Sequence, residues 1–84
     1  MMIQVECGSR LRYSDIIQAL ESCNELHYSY KGQDKSNPIA MLFETDAESE
    51  KEAIMKAEKL IKATRYGKII SFRVVPYGSV VYYK

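Results

Sequence analysis

Side chains able to do chemistry are few in this chain, and the densest group is Cys7-Gly8-Ser9-Arg10-Leu11-Arg12. A strand-to-helix connection carrying a glycine, a hydroxyl and two guanidinium groups is a setting in which backbone donors and a helix dipole can hold a phosphate. Gly8, Ser9, Arg10 and Arg12 are therefore candidate anion-binding residues, and one functional reading is a small-ligand or phosphate-binding regulatory domain. The plainer reading is an ordinary connection with exposed arginines. His27 is the single histidine and has no His, Cys, Asp or Glu beside it at ligand spacing, so neither a metal centre nor a general base is expected. Cys7 and Cys23 lack C-x-x-C spacing and fall on apolar stripes, which suits free buried thiols. No catalytic residue, metal or cofactor is expected.

Two phosphoryl-handling families can be compared with that loop. Cysteine phosphatases need Cys-x5-Arg so that thiolate and guanidinium meet one phosphoryl group; here Tyr13 stands at that position and Arg12 is one residue early. Acylphosphatases carry a basic loop at this point, but their Val-Gln-Gly run and following Phe-Arg are missing from this stretch. Neither pattern is present.

The elements that must position these residues centre on one long helix, expected from Thr45 to Gly67. Thr45 and Glu48 form a T-x-x-E capping box, and Gly67 stands where a left-handed residue ends a helix. Acidic side chains gather at its start (Asp46, Glu48, Glu50, Glu52) and basic ones toward its end (Lys56, Lys59, Lys62, Arg65), as the dipole favours. Ala47, Ala53, Ile54, Ala57, Leu60, Ile61 and Thr64 make its apolar stripe. Its charges of mixed sign read as a solvated side.

Met2 to Cys7 alternates as a half-buried strand, with Ile3, Val5 and Cys7 on one side. A second helix, capped by Ser14, carries Tyr13, Ile16, Ile17, Leu20 and Cys23 inward and ends near Asn24. Leu26 to Lys31 alternates again, Gly32 to Pro38 has turn chemistry, and Ile39 to Glu44 reads as an interior strand. After the long helix, Lys68 to Val75 is strand-like, with Ile70, Phe72 and Val74 facing one way. Pro76 to Ser79 is a turn, and Val80 to Tyr83 a short terminal strand.

The order β-α-β-β-α-β resembles, over the whole chain, the split βαβ pattern of ferredoxin-like plaits. That resemblance implies an α+β domain spanning 1–84: a four-stranded antiparallel sheet in the order 4-1-3-2, two helices on one face, and a short extra C-terminal strand. The reverse side of the sheet is then bare. Its residues are Gln4, Glu6, His27, Ser29, Lys31, Ala40, Leu42, Glu44, Ile69, Ser71 and Arg73, with no aromatic to stack on a base. Such a superfold carries many functions and selects none.

Composition narrows the partners. The 84 residues carry 12 Lys+Arg against 11 Asp+Glu, so no net field draws in nucleic acid, which is not an expected partner. No apolar run reaches the ~18 residues of a membrane span. The start of the chain lacks the basic and apolar regions of a signal peptide, and the cysteine usage suits a reducing, cytoplasmic setting. The uncharged terminal strand is an edge that needs a partner. The expectation is a non-enzymatic interaction module that binds another protein or a second copy of itself, as a homodimer. Leu42, Arg73, Tyr77, Tyr82 and Tyr83 are its contact residues, Tyr being favoured at such surfaces.

Overall fold

Alternation in β1 (Met2–Cys7) decides the layering: Ile3, Val5 and Cys7 enter the core, while Gln4 and Glu6 point to the other side of the sheet. The computed structural model describes residues 1–8 and 12–78. Along them the elements are β1, α1 (Tyr13–Glu21), β2 (Tyr28–Gln33), β3 (Ala40–Thr45), α2 (Glu50–Lys62) and β4 (Phe72–Pro76). All pairings are antiparallel, in the order β2-β3-β1-β4. This is the expected 4-1-3-2 order, read from the opposite edge, and the fold is a ferredoxin-like plait. The short strand expected at residues 80–83 lies outside the described residues.

Both helices cover the same side. Ile16 and Leu20 from α1 and Ala53, Ala57 and Ile61 from α2 join Ile3, Val5, Tyr28, Met41, Phe43 and Val74 in one buried cluster. The alanines of α2 let its backbone lie close to the strands. The Tyr28 hydroxyl donates to Ala53 O at 2.7 Å and ties β2 to the first turn of that helix. Tyr30 and Phe43, opposite each other on β2 and β3, hold their rings 5.5 Å apart.

Several boundaries differ from those expected. Thr45 does not begin α2: it ends β3, paired with Tyr28, and its N–H donates to Met1 O at 2.8 Å. The helix starts four residues later, where a second capping signature stands. Ser49 is extended (φ −139°, ψ 155°) and its Oγ accepts the Glu52 N–H at 3.1 Å, while Glu52 Oε1 accepts the Glu48 N–H at 3.3 Å. Sheet pairing took the first signature, so the helix used the second. At its far end α2 stops at Lys62, capped by Ala63, and turns run to Ile70. Gly67 is not left-handed, since among the described residues only Gly32 and Gly78 have positive φ. It is a glycine because the turn folds back against the helix: a β-carbon there would lie 2.0 Å from Ile61 O.

Likewise α1 is capped by Arg12 rather than Ser14 and ends at Glu21, with Ser22 as its C-cap. β2 continues through Gly32 (φ 111°), which permits a bulge between Tyr30 and Gly32 in place of the expected turn. β4 is shorter than expected because Lys68 and Ile69 belong to the turn, where Ile69 is 79% exposed.

Candidate interaction surface

The reverse side of the sheet was expected bare, and its centre is closed. Gln4 and Glu6 are only 1% and 4% exposed, and Ala40 beside them is buried too. Burying a carboxylate demands partners. Glu6 has them: Oε2 accepts from Gln4 Nε2 at 3.1 Å and from Asn37 Nδ2 at 2.9 Å, and Oε1 accepts from Arg73 Nε. The strand register explains the grouping, because Glu6 lies between Ala40 on β3 and Arg73 on β4. Asn37 comes from the β2–β3 loop, whose turn is held by Asp34: its Oδ1 accepts the Ser36 N–H, and its backbone oxygen accepts the Asn37 N–H. Alternation places Glu6 and Arg73 on this side. Nothing in the sequence spacing marks Asn37 as the residue that folds back onto them.

What stays accessible is the β4 half. Leu42 and Val75 flank Gln4 and are half-buried. Arg73 keeps 48% of its side chain exposed despite its bond to Glu6, and Tyr77 is 56% exposed. The structure thus gathers Arg73, Val75 and Tyr77 at one flank and leaves Leu42 nearer the closed centre. Tyr82 and Tyr83 lie outside the described residues. On the other half, Lys31 Nζ is 3.8 Å from Glu44 Oε2, an exposed pair of little energetic weight.

The hydrogen-bond phase of the sheet shows which main-chain groups face outward. Cys7 N–H donates to Ile39 O and Thr45 N–H to Met1 O, so the odd residues of β1 bond to β3 and the even ones face β4. Opposite Gln4 and Glu6, Val75 and Arg73 turn their main-chain groups inward. Phe72, Val74 and Pro76 turn theirs to the outer edge. Pro76 has no donor to expose, which is how proline is accommodated in an edge strand. The N–H groups of Phe72 and Val74 have no strand beside them among the described residues.

The opposite edge is guarded. There the outward N–H of Tyr30 donates to Glu21 Oε2 at 3.1 Å, and the Gly32 bulge distorts the strand. These are devices that stop strand addition. Alongside β4 there is instead a groove of about 510 Å³ between that strand and α2. Ile70, Phe72 and Val74 supply its apolar wall, and Glu58, Lys62 and Lys68 its charged rim. Sequence reasoning did not single out Glu58 or Lys62. The mixed charges of this helix marked a solvated side, and only the packing of α2 against β4 shows which part of that side meets the edge.

Of the candidate anion-binding residues, Gly8 and Arg12 are among the described ones. Gly8 is exposed, while Ser9 and Arg10 lie outside the described residues. Arg12 is committed twice: its Nη1 is 3.6 Å from Asp15 Oδ2 and its guanidinium lies 3.6 Å from the centre of the Tyr66 ring. A carboxylate at the N-terminus of α1 already answers the charge that an anion would meet. His27 is exposed, and its backbone N–H donates to Asp46 Oδ1 at 2.8 Å. Neither Cys7 nor Cys23 is in a disulfide; the first is buried and the second partly so. Among the described residues no helix is long and apolar enough to cross a membrane. Compared with known proteins, the chain matches no family model, no curated protein and no solved structure.

Proposed function

We propose that this chain is a non-enzymatic protein-interaction module whose contact surface is the β4 flank. That surface comprises the outer edge of the strand, the groove beside it and the exposed side chains of Arg73 and Tyr77. The observation that carries the reading is the asymmetry of the two sheet edges. β2 is blocked by Glu21 and a bulge, whereas β4 presents two outward donors beside an apolar groove. Strand addition uses such a place: main-chain bonds supply affinity and the neighbouring pocket supplies selectivity. The non-enzymatic part is supported by the polar cluster on the reverse side, where the carboxylate of Glu6 is engaged by Gln4, Asn37 and Arg73. Residues 79–84, including Tyr82 and Tyr83, belong to the same proposed contact by their place in the chain, following directly on this flank.

The test combines light scattering of the purified chain with its capture of proteins from native lysate. The chain should self-associate or retain one defined protein, and Arg73→Ala with Tyr77→Ala should weaken that association. Met55→Ser, at an exposed position of α2, should leave it intact. Association indifferent to the β4-flank changes, or none of either kind, would remove the proposal.

A further inference from the structure

Resting on the reading of β4 as a contact edge, we infer that the strand's partner is β4 of a second copy, paired antiparallel about a two-fold axis at Arg73. The outward groups favour that register. Centred on Arg73, Phe72 of each chain faces Val74 of the other, and each residue both donates its N–H and accepts with its C=O. Centring on Val74 instead sets Phe72 against Pro76, which has no N–H to give, so each of those pairs forms one bond of two, whereas centring on Arg73 completes every pair it makes. The axis at Arg73 makes the contact self-complementary, as an isologous dimer requires.

Charge supports the same occupant. Glu58 and Lys62 lie one turn apart on α2 and line the groove at the level of Phe72 to Val74. Neither forms a salt bridge with another described residue. The two-fold axis runs α2 antiparallel to its copy, so Glu58 of one chain faces Lys62 of the other, twice. The groove's apolar wall is covered in the same step, as Phe72 comes beside Val74 of the second copy on the helix side. On the reverse side the register sets Arg73 against Arg73. Like charges opposed across strands are unfavourable, but each guanidinium is already bound to Glu6. The buried carboxylate thus acquires a purpose: it neutralises the one repulsive pair in the contact.

Light scattering over a range of concentrations tests this on the full chain, with Glu58→Lys, Lys62→Glu and an equimolar mixture of the two variants. Both changes are at accessible helix positions, and circular dichroism checks that each variant folds. The wild type is expected at twice the chain mass. Each variant alone opposes like charges and should dissociate about tenfold more readily or worse. The mixture should recover the dimer, because the lysine brought by one chain meets the carboxylate brought by the other. A wild type that stays monomeric at every concentration overturns the inference, as does a dimer indifferent to both charge changes. So does a chain that dimerises only after residues 79–84 are removed, since its own terminal segment then occupies the edge. Capture of a lysate protein that depends on Arg73 and Tyr77, with no dimer, overturns the self-pairing while leaving the proposed function standing.

Discussion

Gly67 is the residue with the least freedom to change. Its α-carbon is pressed against the end of α2, so a methyl group would meet Ile61 O and Lys62 Cα, both backbone atoms that cannot swing aside. Gly67→Ala should therefore cost about 1–3 kcal/mol, the usual penalty for overpacking, read as a lower denaturant midpoint with an unchanged slope. An unaltered midpoint would show that the turn relaxes freely. Tyr28 makes a second prediction. Burial foremost, then the nearby Cys23, Glu52 and Asp46, push its hydroxyl up to about 12. The fold holds the neutral form, and an unfolded tyrosine ionises near pH 10. Its contribution is thus complete below about pH 10 and disappears as pH rises through about 12. Tyr28→Phe should cost about 1 kcal/mol at neutral pH and flatten the alkaline loss of stability. Parallel stability curves for the two proteins above about pH 9 would refute this. Both residues illustrate a limit of reading sequence: a glycine after a helix and a tyrosine in an alternating strand were visible, but not which backbone atoms they would meet.

At the level of elements, existence and facing were legible and boundaries were not. Every described strand and helix was expected, and Ile3, Val5, Ile16, Leu20, Ala53, Ala57, Ile61 and Val74 lie inward as expected, because periods of two and of 3.6 are imposed by burial. The starts and stops went astray where two local signals competed. Thr45-x-x-Glu48 and Ser49-x-x-Glu52 are equivalent in sequence, and pairing of β3 with Tyr28 and Met1 decides between them. Ser49→Ala should cost about 1 kcal/mol of stability through the lost cap, measured by thermal or denaturant unfolding. An effect near zero would mean that the Glu48–Glu52 bond alone holds that end. The Gly32 bulge eluded prediction for a related reason. A glycine followed by Asp, Ser, Asn and Pro looks like a turn, yet here it lengthens an edge strand and distorts it. The candidate surface was partly legible on the same grounds. Alternation placed Arg73 outward, but the closed centre around Glu6 depends on Asn37, which is far away in sequence.

For the whole molecule, the contrast between its two edges matters more than any one side chain. A plait has two strand edges to manage, and this one blocks β2 with a carboxylate while leaving β4 beside a groove. The proposed docking follows from that inequality. Its sensitivity to Glu58 and Lys62 implies screening by salt, because the charges sit at the rim. One further feature bears on how the chain comes together. β1 lies between β3 and β4, so its neighbour on one side is the last strand described. As the polypeptide is synthesised, β1 must wait for β3, α2 and β4 to follow before both its flanks are satisfied. Long-range closure of this kind slows folding, and until it is complete Ile3, Val5 and Cys7 belong to an unfinished layer open to capture by a neighbouring nascent chain.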